Sequence, residues 1–180
     1  MIIKTIFSGF GGQGVLVMGV SLAHSGMSKG LHVTYLPAYG AEMRGGTANC
    51  TVAVADEEIA SPVASEPNYL VVMNSPSLFT FQNKVTSGGT IFLNSSIIND
   101  RPNRRDVKVV CVPCSDMAQE LGNIRVANII MMGAFIKVSG VVTPEIYLNS
   151  LESIMGSRKK ALAELNKKAF SAGFDYVKIN

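Results

Sequence analysis

A glycine-rich turn directly after an apolar run constrains the fold of this chain more than any other feature. The apolar residues 2–7 lead into Gly9-Phe10-Gly11-Gly12-Gln13-Gly14, and a helix-forming run, residues 15–28, follows with Gly30 as its expected end. The turn has G-x-G-x-x-G spacing between a predicted strand and a predicted helix, which is the context in which this spacing binds phosphate groups. The sequence therefore predicts a strand–turn–helix unit with a candidate phosphate-binding loop.

The spaced glycines of this loop have different expected roles. Gly9 would allow the tight turn, Gly11 the close approach of a phosphate or of another backbone, and Gly14 close packing of the helix on the strand. The start of the helix would offer free N–H groups and the positive end of its dipole to an anion. Because glycine is also common at such turns without any ligand, a purely structural loop is the alternative.

The second predicted strand bears on whether the loop binds a dinucleotide. A dinucleotide site would place an acidic side chain about 20 residues on, at the end of that strand, to hold the ribose hydroxyls. Residues 32–36 form the predicted strand and run into Pro37 without an acid, and the nearest acid is Glu42. This argues against an ordinary NAD enzyme and leaves either another phosphate-bearing ligand or close backbone packing.

A second glycine loop covers residues 39–46, with the sequence Tyr39-Gly40-Ala41-Glu42-Met43-Arg44-Gly45-Gly46. Glu42 and Arg44 are its only charged residues. They would form an internal salt bridge, an ion pair with another subunit or a contact to a ligand. Tyr39 would either stack on an adenine ring or pack at an interface.

Short apolar runs alternate with helical segments along the rest of the chain. Strands are predicted at residues 47–54, 69–73, 90–93 and 107–112, and helices at 116–121, 126–138 and 158–172, with others starting after Asn74 and Thr143 and with Gly173 as the last stop. This alternation predicts an α/β fold, a three-layer α/β/α sandwich that is Rossmann-like with a mostly parallel or mixed central sheet. No repeat or linker composition interrupts it, so residues 1–180 are expected to form a single domain.

The composition narrows the function classes. The chain is 47% hydrophobic and only 16% charged with a mean hydropathy of +0.27, which indicates either a surface covered by a partner or a thickly buried sheet. A net charge of +3 without long basic runs gives no support for nucleic-acid binding. No apolar segment has the 18 or more residues needed to span a bilayer, and the N-terminus lacks the pattern of a signal peptide. We therefore expect a cytoplasmic protein that does not contact the membrane.

Cysteines and histidines give little indication of a metal or catalytic centre. The chain has three cysteines, an odd number that fits a reducing compartment. Cys111 and Cys114 have C-x-x-C spacing, but they are expected at a strand end and not at a helix start, so a structural role is favoured over a redox or metal role. His24 and His32 are too few for a metal cage. Asn128 lies in an apolar helical run and is expected to hydrogen-bond a loop backbone or a neighbouring subunit.

Taken together, these motifs resemble the gamma subunit of the 2-oxoacid:ferredoxin oxidoreductases, the family of the pyruvate, 2-oxoglutarate and branched-chain 2-oxoisovalerate enzymes. The resemblance covers nearly the whole chain. It is carried by residues 9–14, by residues 39–50, and by Gly122-Asn123 with Arg125-Val126-Ala127-Asn128. Members of the family commonly have proline where this chain has Ala41.

The resemblance implies a complex that oxidatively decarboxylates a 2-oxoacid, forms an acyl-CoA and passes two electrons to ferredoxin, with 2-oxoglutarate the substrate that the overall likeness favours. It also implies alpha and beta catalytic subunits with thiamine diphosphate between them, and iron-sulfur clusters in beta and in a ferredoxin-like delta subunit. The gamma chain would bind no cofactor tightly, would be inactive alone, would have no catalytic or metal-binding residue, and in isolation would form a homodimer. Its CoA contacts would come from the two glycine loops, through Gly9, Gly11, Gly12, Gln13, Gly14, Tyr39, Glu42 and Arg44.

Two alternatives stay open on the sequence. The first is a freestanding nucleotide-binding oxidoreductase that uses the first glycine loop, although it lacks the ribose-binding acid and a convincing general base. The second is a purely structural scaffold subunit, which differs from the leading interpretation only in whether the glycine loops touch a ligand.

Overall fold

The fold is described from a computed structural model that covers residues 1–39, 46–63, 65–155 and 160–178. These residues form six strands, β1 (Ile2–Phe10), β2 (His32–Tyr39), β3 (Thr47–Ala55), β4 (Tyr69–Val72), β5 (Thr90–Asn94) and β6 (Lys108–Val112). They also form six α-helices, α1 (Val15–Ser28), α2 (Ser75–Phe81), α3 (Cys114–Glu120), α4 (Ala127–Ser139), α5 (Pro144–Met155) and α6 (Lys160–Tyr176). Short 3-10 turns lie at Gln82–Lys84 and Ile124–Val126.

The strands form one mixed sheet in the order β2-β3-β1-β4-β5-β6. Strands β1, β4, β5 and β6 are parallel, whereas β3 is antiparallel to both of its neighbours, β1 and β2. The predicted α/β fold with a mixed central sheet is confirmed. Because the parallel strands share a direction, their carboxyl ends meet at one edge of the sheet, where ligands of open α/β sheets bind.

Helices cover the sheet on two sides. On one face, α1 and α4 pack on β1, β3, β4 and β5. The ring centroid of Phe135 in α4 lies 5.5–5.6 Å from those of Phe7, Tyr69 and Phe92, and the Tyr69 and Phe92 centroids are 6.3 Å apart. The other face carries the shorter α2, whose Leu78 packs with the apolar side chains of β1, β4 and β5. The central strands β4 and β5 are therefore buried on both faces, which explains their nearly continuous apolar sequences.

Helix α4 is buried on almost every side because α6 packs over it. A Cβ atom added at Gly133 or Gly173 would overlap the backbone of the other helix, so the two helix axes approach closely at these two glycines. Gly173 was expected to end the last helix, and this prediction was wrong: α6 continues to Tyr176. The close packing that Gly173 permits outweighs its low intrinsic helix propensity.

Two further elements differ from the sequence predictions. Strand β2 continues through Pro37 to Tyr39, which is possible because β2 is an edge strand that pairs only with β3. Cys114 is the first residue of α3, so the expectation that Cys111 and Cys114 are remote from a helix start was wrong for Cys114. In the described part of the chain, none of the helices combines the length and the apolar composition required to cross a bilayer.

Candidate functional site: a cleft beside the first glycine loop

The first glycine loop lies at the carboxyl edge of the sheet, between the end of β1 and the start of α1. Strand β1 ends at Phe10, and the backbone turns through residues 11–14 before α1 begins at Val15. Gly12 and Gly14 have φ angles of 97° and 74°, in the left-handed region that L-residues with side chains rarely adopt. The predicted strand–turn–helix unit is present, and the turn depends on glycine at these two positions.

Gln13 holds the loop together from inside. Its Oε1 accepts a hydrogen bond from the backbone N–H of Phe10 at 2.7 Å, and its Nε2 donates to the carbonyl oxygen of Met73 at 2.9 Å. The side chain passes over Gly9, where an added Cβ would lie 2.6 Å from Oε1 of Gln13. Gln13 therefore ties the end of β1 to the residue after β4, and Gly9 leaves room for its amide.

Gly11 connects the first glycine loop to the end of the second one. Its N–H donates a hydrogen bond of 3.0 Å to the carbonyl oxygen of Gly46. Tyr39 is the last residue of β2, in register with Ala48. Glu42 and Arg44, the other predicted ligand contacts of the second loop, lie outside the described residues. For Gly11 the sequence left open the close approach of either a phosphate group or another backbone. This hydrogen bond shows the approach of another backbone.

Gly14 packs against the start of α4. The Nδ2 of Asn128 donates a hydrogen bond to the carbonyl oxygen of Gly14 at 3.4 Å, and an added Cβ at Gly14 would overlap the Asn128 amide. The Oδ1 of Asn128 accepts from the N–H of Ile129 at 2.9 Å. The expected hydrogen bond from Asn128 to a loop backbone is thus present. Gly14 was expected to let α1 pack closely on the strand, but the space that it leaves is occupied by the Asn128 side chain of α4.

The loop presents free hydrogen-bond donors. No described residue accepts a hydrogen bond from the N–H of Gly12 or of Gly14. The first backbone hydrogen bond of α1 runs from the N–H of Met18 to the carbonyl oxygen of Gly14. The N–H groups of the residues before Met18 therefore have no acceptor within the helix. The helix has no side-chain cap and no acidic residue in its first turn. Its positive dipole end is therefore uncompensated, which favours an anion near the loop.

A cleft of about 140 Å³ opens beside the loop. Its walls come from the loop, from the end of β4, from the first turn of α3 and from the segment that leads into α4. The lining residues are Gly12, Gln13, Met73, Ser115, Ile124, Arg125, Ala127 and Asn128. Sequence reasoning placed only Gly12 and Gln13 in the site. The sequence analysis identified residues 122–123 and 125–128 as a family motif but did not assign Arg125 to the site. That motif was the sequence feature that could have indicated Arg125.

The cysteines are separate from this cleft. Burial raises the pKa of the Cys50 thiol and of the Cys114 thiol to about 12, so both are protonated near neutral pH. Cys111 is partly exposed, and the guanidinium of Arg101 donates to its Sγ at 2.6 Å. Within the described ranges, no three His, Cys, Asp or Glu side chains converge on a position for a metal ion.

Comparison with known protein families decides the assignment. The sequence model of the pyruvate ferredoxin/flavodoxin oxidoreductase family matches residues 4–176. The chain belongs to this family. The resemblance to a gamma subunit found in the glycine loops is therefore confirmed at the level of the family.

Similar proteins within the family differ in their substrate and in their length. The ketoisovalerate oxidoreductase subunit VorA of Methanothermobacter marburgensis is 34% identical over 178 residues, which cover 99% of this chain but only 37% of VorA. The chain thus spans little more than a third of that relative. The 2-oxoglutarate synthase subunit KorC of the same organism is 32% identical over 177 residues, covering 94% of each protein.

Solved structures show the same fold. The gamma subunit of the keto/oxoacid ferredoxin oxidoreductase from Geobacter sulfurreducens superimposes with a TM-score of 0.82 at 26% identity, over 96% of each chain. The 2-oxoglutarate:ferredoxin oxidoreductase from Magnetococcus marinus, determined with 2-oxoglutarate, coenzyme A and succinyl-CoA bound, has a TM-score of 0.89 at 19% identity. The match covers 98% of this chain and 32% of the Magnetococcus chain. This family fold can stand alone or form part of a longer polypeptide.

Proposed function

We propose that this chain is the gamma component of a cytoplasmic 2-oxoacid:ferredoxin oxidoreductase, with residues 1–180 as a single domain. The complex would decarboxylate a 2-oxoacid, transfer the acyl group to CoA and pass two electrons to ferredoxin. The observation that carries the proposal is the glycine-loop cleft at the carboxyl edge of the sheet, in a chain that belongs to this family. The likeness to the Geobacter gamma subunit over nearly all of both chains supports the gamma role.

The role of the cleft in the complex is to contact CoA. The free N–H groups of Gly12 and Gly14 and the uncompensated start of α1 suit a phosphate group of CoA. In this proposal Gly9 and Gln13 act by shaping the loop, and Gly11 by joining it to the second loop. Tyr39, Glu42 and Arg44 would complete the contacts from that loop. The CoA bound to the Magnetococcus enzyme of the same fold is consistent with this use.

The redox chemistry of the complex is assigned to partner subunits. Thiamine diphosphate would lie between alpha and beta subunits, and iron-sulfur clusters in beta and in a ferredoxin-like delta subunit. Thiamine diphosphate supplies the carbanion stabilisation that decarboxylation needs. This chain would contribute an interface and part of the CoA path, so it should turn over nothing when purified without its partners.

We infer that the 2-oxoacid is 2-oxoglutarate, since the match covers 94% of KorC as well as 94% of this chain, whereas it covers only 37% of VorA. The decisive experiment is an anaerobic affinity purification of the tagged chain from its native cells. The eluate is assayed for CoA-dependent reduction of a viologen dye with 2-oxoglutarate, pyruvate and 2-oxoisovalerate in turn. Co-purified thiamine and iron-sulfur subunits with activity on 2-oxoglutarate are the expected result. Activity on another acid would correct the substrate, and a chain recovered alone and bound to NAD would overturn the proposal.

Sheet order weighs against the freestanding oxidoreductase. In the dinucleotide-binding fold the acid that holds the ribose ends the strand next to β1. Here the antiparallel β3 separates β1 from β2, and β2 has no acidic residue. A ribose beside the loop would therefore meet β3, which also has no acidic residue.

The scaffold alternative is tested by a bulky substitution at Gly11. An added Cβ there has only Gly46 O within 4 Å among the described residues, at 3.8 Å, so the first side-chain atom fits without a clash. For Gly11→Leu, normal assembly of the complex with a raised KM for CoA supports a contact to the ligand. Loss of assembly supports a scaffold.

A further inference from the structure

The polar side chains of the cleft divide into two groups. Gln13 and Asn128 have both ends of their amides engaged with backbone groups, so they are committed to holding the loop and the start of α4. Ser115 and Arg125 are the other polar side chains that line the cleft. These two side chains donate no hydrogen bond to any acceptor within the described residues.

Ser115 is oriented as a donor. The Nδ2 of Asn94 donates to the Oγ of Ser115 at 2.9 Å. Asn94 is fully buried at the carboxyl end of β5, and its Oδ1 has no partner among the described residues. Because the Ser115 oxygen already accepts from Asn94, its own O–H proton remains available to a group in the cleft.

Arg125 supplies the positive charge. Its backbone N–H donates to Oδ1 of Asn123 at 3.0 Å, which fixes the turn that presents the side chain. Its guanidinium has no ion-pair or hydrogen-bond partner among the described residues, and no lining residue carries a carboxylate. The nearby Asp116 is exposed and is not part of the lining. The available groups of the cleft are thus all donors, and one of them is charged.

We infer that Ser115 and Arg125 bind a phosphate group in this cleft, opposite the N–H groups of the first glycine loop. The inference rests on the proposed function, and the phosphate would belong to CoA. A guanidinium and a hydroxyl complement phosphate oxygens by charge-assisted hydrogen bonds. Neither residue belongs to the set predicted from the two glycine loops.

The test compares ligands with and without phosphate. CoA and pantetheine are titrated into the full-length chain by calorimetry, and KM for CoA is measured with the purified complex. Arg125→Gln should weaken CoA binding about tenfold or more, and Ser115→Ala about threefold, while pantetheine binding is unchanged. Lys108→Gln is the matched control, because it removes the same charge from an exposed residue at the opposite end of the sheet. It should leave CoA binding unchanged.

The outcomes separate this inference from the proposed function. If Arg125→Gln and Ser115→Ala bind CoA as tightly as the unmodified protein, the residue assignment is wrong and the CoA role stands. Equal weakening for CoA and pantetheine would also overturn it, since the lost contact would not be to phosphate. If neither the unmodified chain nor its complex responds to CoA, the proposed function itself fails. Arg125→Met, which keeps much of the side-chain length but not the charge, replaces Arg125→Gln if that variant does not fold, and it should weaken CoA binding to the same extent.

Discussion

Asn128 donates a hydrogen bond from Nδ2 to the carbonyl oxygen of Gly14, at 3.4 Å across 114 positions of sequence. This contact joins the first turn of α4 to the loop that starts α1. It links two walls of the cleft, because Gly12 belongs to the same loop as Gly14 and Arg125 lies in the segment that leads into α4, and both line the cleft. The geometry of the proposed phosphate site thus depends on the Asn128 amide and the Gly14 carbonyl, two groups that are not themselves assigned to the phosphate.

The first prediction concerns Gly14. Gly14→Ala should lower the free energy of unfolding by at least about 2 kcal/mol, since alanine is strained at positive φ and its methyl group would overlap the Asn128 amide. Gly11→Ala is the control in the same loop and should change stability by less than about 0.5 kcal/mol. Urea unfolding followed by circular dichroism measures both.

A double variant separates the two causes at Gly14. In Gly14→Ala/Asn128→Ala the added methyl would lie 3.2 Å from the Cβ of residue 128, and small shifts can relieve that contact. The losses of unfolding free energy in the two single variants should therefore sum to more than the loss in the double variant. Additive losses would mean that backbone strain, and not the Asn128 contact, limits this position.

The second prediction concerns the Gln13 amide. Gln13→Ala leaves the N–H of Phe10 and the carbonyl of Met73 without their present partner, so it should cost about 1–3 kcal/mol of unfolding free energy. Gln119→Ala removes the same side chain from an exposed position in α3 and should be nearly neutral. Chemical denaturation of both variants checks the difference. Equal stabilities would show that the loop does not depend on the amide.

Local features of the site could be predicted from the sequence, and long-range ones could not. The strand, the glycine turn and α1 follow one another directly, so spacing and periodicity were sufficient to find them. Asn128 was expected to bond a loop backbone, but its partner Gly14 lies on a different part of the chain. The contribution of Arg125 to the cleft depends on the same long-range packing, which no local pattern specifies.

The sheet and the last helix illustrate two other limits. The sequence of β3 does not specify which strands lie beside it, so its place between β1 and β2 required the structure. Gly173 has the sequence signature of a helix end, yet it serves helix packing instead. A glycine that permits close contact and a glycine that ends a helix are indistinguishable until the neighbouring helix is known.

The third prediction concerns the reactivity of the thiols. Thiolate is the reactive form, and burial raises the pKa of Cys50 and Cys114 to about 12, so both should resist Ellman's reagent at about pH 8. The partly exposed Cys111 should react rapidly, giving one fast thiol in the native protein and three after denaturation. Cys111→Ser should abolish the fast phase. A second fast thiol in the native state would contradict the buried positions.

The last prediction concerns the contact between α4 and α6. An added Cβ at Gly173 would overlap the backbone of Ile130, and both are on helices packed in the core. Gly173→Ala should therefore lower the free energy of unfolding by at least about 2 kcal/mol, although alanine is the better helix former by about 1 kcal/mol. Ser171→Ala, at an exposed position of the same helix, should be neutral or slightly stabilising. If instead Gly173→Ala stabilises the protein, propensity governs this position and the two helices lie further apart than described. Thermal unfolding of the two variants, compared with the unmodified chain, distinguishes these outcomes because the two effects at residue 173 have opposite signs.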